Sequence, residues 1–324
     1  MQPVQQHVLF TGTTMGTTYE VKLPDANLKP RATRKLQNDF ERRLEEINQR
    51  MSTYVEDSEV SRFNQQTTTN PFPVSLETGK IVREALQLAS DSGGSFDPTL
   101  LPLVHIWGFN NSTNPPSPPT ASTLSSTRAK VGWRKLSVPR NDQLKKSEAE
   151  LCLDLGGIAK GYAVDQLSTI LNKAAFENYY VNIGGEIRTQ GTSTNGTPWS
   201  IAIETPVVSP QQELYEIVSL SGVSMATSGD YRNFYVGEDG RHYAHIIDPA
   251  SGKPTTNQLA SVSVIAPTCM EADGVATALF VMGAQSGLHF AELREHVEAF
   301  VIVRDGTNGF KHAMTSGFPA YLRQ

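Results

Sequence analysis

Apolar positions along this chain switch between two spacings. Leu36, Phe40, Leu44, Ile47 and Met51 recur four, four, three and four residues apart. That is the single stripe of an amphipathic helix with a charged back. A second helix is predicted from about residue 75 to 92, with Ser75 as its N-cap and Ile81, Ala85 and Leu88 turned inward. Elsewhere the pattern alternates or runs through β-branched residues. Residues 10–23 read as strand, turn, strand, and residues 178–191 as a strand ending in a glycine pair. TPWSIAIETP, ELYEIVSLSGVSMATSG, QLASVSVIAP and AFVIVRD read as further strands. Residues 151–171 predict an apolar strand, a glycine turn and a helix beginning near Ile158, and a further helix is placed near residues 286–296. The irregular order of strands and helices predicts an α+β fold with largely antiparallel sheets rather than a doubly wound one.

Residues 110–123, NNSTNPPSPPTAST, carry Pro115, Pro116, Pro118 and Pro119 and are expected to form a surface loop. The apolar patterns flanking it are too fragmentary to be complete cores. The expectation is therefore one domain over residues 1–324, or two closely packed subdomains, rather than a linker between independent units.

Composition narrows the function classes. The chain has 324 residues, 38% hydrophobic and 19% charged, with a net charge of −5. No basic patch supplies the phosphate-neutralising charge that nucleic acid needs, which argues against such a partner. No run approaches the roughly 18 apolar residues of a membrane helix. Met1 is followed directly by the polar QPVQQ, so no secretory or lipoprotein signal is visible. Cys152 and Cys269 are too few for a disulfide scaffold or a cysteine-rich zinc site and are expected to be unpaired.

Five segments carry candidate chemistry. In EADGVATALF, Asp273 and Thr277 lie one helical turn apart. A carboxylate and a hydroxyl so placed offer oxygen ligands to a hard cation such as Mg²⁺. Read alone, the pair is more often a solvated helix face. Thr268 and Glu271 form a T-x-x-E capping box that starts this helix just before the pair. In LDLGGIAKGYAVD, a Gly156–Gly157 turn leads into a helix N-terminus, where backbone N–H groups attract anions. Asp154 precedes that turn, and Lys160 in the first helical turn is within reach of a phosphate. The segment is equally a tight strand–helix turn with a solvated lysine. In SGGSFDPTL, Phe96 is either a stacking surface for a planar ring, with Asp97 or nearby backbone at its edge, or a core residue under a turn. GRHYAHIIDPASGKP holds His242 and His245, whose spacing on a strand puts the rings on opposite faces. That disfavours a two-histidine zinc site and favours a single acid–base or phosphate-binding histidine. ATSGDYRNFY adds Ser228, Asp230, Tyr231 and Arg232, without the G-x-S-x-G elbow of a hydrolase nucleophile.

Together, eight segments in order resemble the ApbE family, the FAD:protein FMN transferases. They are TTMGTTYEVKL, MSTYVEDSEVSRFN, GGSFDPTLLPLVHIWGF, LDLGGIAKGYAVD, NIGGEIRTQG, ATSGDYRNFY, HIIDPASGKP and VIAPTCMEADGVATALFVMG. They span about residues 10–285, nearly the whole chain. The resemblance implies a T-fold-related α+β architecture and Mg²⁺-dependent transfer of the FMN half of FAD to a threonine hydroxyl of a target protein, releasing AMP. It implies acceptors among subunits of sodium-pumping NADH:quinone oxidoreductase and Rnf-type complexes. It also implies lipid anchoring on the outer face of the bacterial cytoplasmic membrane, although the signal and anchoring cysteine are absent here. By position, metal ligands fall on Asp273, Thr277 and the carbonyl of Gly157. FAD contacts fall on Met15, Tyr54, Ser95, Phe96, Asp97, Asp154 and Lys160, and His245 matches a histidine expected to serve transfer. Plain hydrolysis of FAD to FMN and AMP would use the same residues. A flavin carrier without turnover is the other alternative.

Overall fold

The structure is a computed structural model that describes residues 7–24, 26–109, 117–207, 213–231, 233–237, 240–306 and 309–323. Eight strands form one fully antiparallel sheet whose spatial order follows the chain: β1 (His7–Thr14), β2 (Thr17–Pro24), β3 (Tyr179–Ile183), β4 (Glu186–Gln190), β5 (Ser224–Gly229), β6 (Leu259–Ala266), β7 (Glu298–Asp305) and β8 (Gly309–Met314). Eight α-helices accompany it among the described residues: α1 (Pro30–Met51), α2 (Glu59–Gln65), α3 (Leu76–Asp91), α4 (Leu101–Ile106), α5 (Ala121–Arg128), α6 (Ala159–Lys173), α7 (Cys269–Met282) and α8 (Ala284–Glu292).

Side-chain alternation puts a core on each face of the sheet. In β5, β6 and β7, Ala226, Val264 and Val301 join the main core, which also takes in Phe40, Leu167 and Leu279 of α1, α6 and α7. Their neighbours Met225, Ile265 and Ile302 point to a second core. There the hairpin of Trp199–Glu204 and Leu214–Leu220 and the ring of Phe318 cover them. This is why LASVSVIA is buried at every position. The helical stripe of α1 also forms as the spacing predicts, with Leu36, Phe40, Leu44, Ile47 and Met51 all buried.

Caps fall where the polar residues require. Ser75 accepts from the Thr78 N–H to open α3, and Thr268 accepts from the Glu271 N–H to open α7. Glu271 does not complete the capping box, because its carboxylate pairs with Arg294 instead.

Three expectations are corrected. Residues 151–155 join no sheet. They are extended, with Leu151, Leu153 and Leu155 buried. The Asn64 side chain replaces a neighbouring strand: its Oδ1 accepts from the Leu153 N–H at 2.7 Å and its Nδ2 donates to the Leu153 carbonyl at 2.8 Å. Residues 178–191 are not one strand but the hairpin β3–β4, turning at Gly184 and Gly185 with φ of 67° and 111°. Of the proline-rich stretch, residues 110–116 lie outside the described residues. Residues 121–123 belong to α5, which Thr120 caps by accepting from the Thr123 N–H.

Candidate functional site

The site is built on the crossing of α6 and α7. A Cβ on Gly161 would lie 2.2 Å from the Cys269 carbonyl oxygen, so only glycine lets the helices approach this closely. Two hydrogen-bonded contacts lock the crossing. Asp165 of α6 accepts from the Cys269 and Met270 N–H groups at 2.9 and 3.0 Å, capping the start of α7. The Gly161 N–H donates to Asp273 Oδ2 at 3.0 Å. Asp273 is buried in a helix that is otherwise almost wholly apolar. Burial pushes its carboxyl above the usual range, while Lys160 and the Gly161 N–H pull it back.

One turn on, the Thr277 hydroxyl donates to the Asp273 carbonyl at 3.2 Å and lies 3.5 Å from Ser228 Oγ of β5. Gly157 sits against both Thr277 and Phe96. A Cβ there would be 3.4 Å from Thr277 Oγ1 and 3.0 Å from the Phe96 ring. Asp154 Oδ1 accepts from the Gly156 N–H at 2.9 Å and so braces the turn that opens α6.

A carboxylate overlooked in the sequence completes the cluster. Glu186, the first residue of β4, accepts from the Lys160 ammonium at 2.5 Å, and Lys160 Nζ lies 3.9 Å from Asp273 Oδ1. Burial opposes the charge on Lys160, but Asp273 and Glu186 outweigh it and raise its pKa. Burial also raises Glu186, with Lys160 acting against it. Glu186 Oε2 is buried with no hydrogen-bond partner among the described residues. The available signal was a lone carboxylate directly after the Gly184–Gly185 turn.

His245 follows the short strand His242–Ala244. Its Nδ1 lies 3.1 Å from the Asn233 carbonyl, which can only accept, so Nδ1 carries the proton and Nε2 keeps its lone pair. Burial lowers its pKa, which keeps the ring neutral. His242 instead stacks on Phe234 with ring centroids 4.1 Å apart.

These groups face one cleft of about 850 Å³. Met15, Tyr54, Ser95, Phe96, Asp97, Asp154, Gly157, Lys160, His245, Asp273 and Thr277 all line it, although they come from both ends of the sequence. Met15 sits in the two-residue β1–β2 turn with φ of 50°, followed by Gly16 at 71°. Tyr54 stands at the cleft 74% exposed, while Phe96 is buried to 3% and forms wall rather than rim. Asp97 is largely committed to its own loop. It accepts from the Thr99 N–H and hydroxyl and from the Trp133 N–H. Of the remaining candidates, Ser228 and Tyr231 line the cleft, Asp230 pairs with Arg304 at 2.6 Å, and Arg232 lies outside the described residues. Asp248 caps the turn at Ala250 and Ser251.

The candidate metal donors are oxygens: the Asp273 carboxylate, the Thr277 hydroxyl one turn on with Ser228 Oγ 3.5 Å from it, and the carbonyl of Gly157, a residue packed against Thr277. Among the described residues no three His, Cys, Asp or Glu side chains converge as a metal cage. A single carboxylate with neutral oxygens fits Mg²⁺, which takes one or two carboxylates and leaves the rest of its shell to water and substrate phosphate.

An antiparallel α+β scaffold carrying a helix N-terminus, a lysine and a hard-oxygen donor set in one deep cleft defines a protein that handles phosphate-bearing ligands. The ApbE family model matches residues 15–301, and the chain belongs to that family. A FAD:protein FMN transferase of Vibrio cholerae is 43% identical over 322 residues, covering 99% of this chain and 94% of that protein. Its counterpart in Haemophilus influenzae is 40% identical, covering 96% and 90%. The flavin transferase ApbE from Vibrio cholerae has a similar fold, with a TM-score of 0.89 at 42% identity, covering 98% of this chain and all of that one. The apo flavinyl transferase ApbE of Pseudomonas stutzeri gives 0.87 at 40% identity, covering 99% and 98%.

Proposed function

We propose that this protein moves the FMN half of FAD onto a threonine hydroxyl of an acceptor flavoprotein, with Mg²⁺ held at Asp273, Thr277 and the Gly157 carbonyl. The observation that carries the reading is the convergence of eleven residues, from Met15 to Thr277, on one cleft. In the transfer, the threonine oxygen forms a bond to the FMN phosphorus as the pyrophosphate P–O bond breaks and AMP leaves. Positioning and charge neutralisation account for most such catalysis. Bound Mg²⁺ supplies charge neutralisation to the pyrophosphate.

The chain's own groups do the rest. The α6 N-terminus and Lys160 bind phosphate oxygens. His245 Nε2 takes the threonine proton, while the Nδ1–H contact to Asn233 fixes the ring. Tyr54 offers its exposed ring to the flavin, while Phe96 backs the cleft wall and Met15 lines the cleft with them. Acceptors of the sodium-pumping NADH:quinone oxidoreductase and Rnf type, and a place on the outer face of the cytoplasmic membrane, follow from the family resemblance alone.

The test is to incubate the protein with FAD, Mg²⁺ and a small acceptor domain bearing the target threonine, and to weigh the acceptor. A gain of one FMN that EDTA prevents supports the reading. Free FMN and AMP with an unmodified acceptor would replace it with hydrolysis. Intact FAD, across a panel of acceptor domains, would replace it with a carrier.

A further inference from the structure

One buried cluster is not explained by ligand binding alone. Lys160, Glu186 and Asp273 lie together in the cleft, with side-chain exposures of 32%, 4% and 6%. The ammonium is 2.5 Å from Glu186 and 3.9 Å from Asp273, so it lies between the two carboxylates. Asp273 Oδ2 is used by the Gly161 N–H, which leaves Oδ1, the oxygen nearer Lys160, for any cation. Glu186 Oε2 has no partner among the described residues. A lysine in this position neutralises a buried carboxylate that is itself a metal ligand in the reading above. An ammonium and a Mg²⁺ on the same carboxylate would compete for it and repel each other.

We propose that Lys160, anchored by Glu186, is a built-in counter-ion that disfavours Mg²⁺ at Asp273 until a pyrophosphate-bearing ligand takes up its charge. Metal and FAD then bind with positive coupling, because the phosphates that accept the ammonium also relieve its repulsion of the metal. The flexible lysine stem and its three donors suit an exchange of Glu186 for phosphate. Metal in the FAD-free protein stays weakly bound, and the site is completed only on substrate. The inference rests on the magnesium reading of Asp273 and adds to it an order of assembly.

The test is calorimetric titration of Mg²⁺ alone into the full, FAD-free chain, with no turnover involved. Lys160→Met is expected to bind Mg²⁺ about tenfold or more tightly than wild type, from loss of one unit charge next to the metal. Lys160→Arg, which keeps the charge, is expected to stay within about twofold of wild type. Fluorescence titration of FAD in EDTA is expected to show several-fold weaker binding for Lys160→Met. If Lys160→Met does not fold, Lys160→Gln is read in its place. A Mg²⁺ affinity in the neutral variant equal to or below wild type, undetectable binding in both included, overturns the inference. FMN transfer to the acceptor is scored separately. A working transferase with unchanged metal affinity refutes this inference and leaves the transferase reading intact.

Discussion

Gly161→Ala should disable the site without touching any group that meets substrate. Its added Cβ would sit 2.2 Å from the Cys269 oxygen and 2.8 Å from Met270 Cα, both backbone atoms that no rotamer change can move. Restoring ordinary contact requires α6 and α7 to part by about 1 Å, since interior packing tolerates little overlap. Overpacking of this kind costs roughly 1–3 kcal/mol. The same displacement lengthens the 3.0 Å contact that holds Asp273 Oδ2. A misplacement of about 1 Å in a catalytic constellation can lower kcat by about 10²-fold. Gly79→Ala is the comparison, because its Cβ would lie 2.0 Å from the Asn141 carbonyl oxygen, away from the cleft. Urea unfolding and the kcat for FMN transfer are measured on both variants. Both should lose comparable stability, and only Gly161→Ala should lose kcat beyond its folded fraction. Wild-type kcat in Gly161→Ala, or equal kcat losses in the two, would refute the claim that this crossing positions Asp273.

Four further outcomes are expected. Asp273→Ala should abolish Mg²⁺-dependent turnover, measured by AMP release; activity at the wild-type level would remove it as the metal ligand. His245→Ala should retain FAD affinity by fluorescence and lose transfer to the acceptor, and unchanged transfer would exclude it as the base. The lowered pKa of His245 makes the unfolded chain the better proton acceptor below the ordinary histidine pKa of about 6.5. Stability should therefore fall as pH drops below that value, and His245→Gln should flatten the slope in urea titrations at several pH values; an unchanged slope would refute it. Lys146 is fully buried and donates to the Phe63, Asn64 and Leu151 carbonyls. Lys146→Met should cost about 2–4 kcal/mol in the same assay by stranding those acceptors, with less than about 0.5 kcal/mol lost if they find water instead.

The sequence was most legible where one local rule acted alone. The stripe of α1, the Ser75 and Thr268 caps and the all-buried β6 follow from spacing and polarity within a few residues. The segment 151–155 misled because its apolar alternation reflects burial, whereas its backbone partner is a side chain 89 residues away. The Gly184–Gly185 pair read as a strand end because a two-residue turn is short enough to vanish inside a longer β-rich run. The site residues were named mainly through resemblance. Asp273 with Thr277 is a weak pattern in isolation, and only the crossing at Gly161 gives it direction. Glu186 was invisible for the same reason, since its meaning depends on Lys160, on another element 26 residues earlier.

A sheet whose spatial order follows the chain has a kinetic corollary. Six of its seven neighbouring pairs meet through nearby sequence or modest insertions, but β2 and β3 must close over residues 25–178. Loop-closure entropy makes that seam slow to form, although each doubling of length adds only about 0.6 kcal/mol. The cleft straddles the seam, with Met15 and Gly16 on one side and Gly184 and Glu186 on the other. Hairpins can therefore gain structure early in synthesis while the cleft remains in two halves. Recovery of flavin binding during refolding reports on the closing of that one seam, rather than on secondary structure.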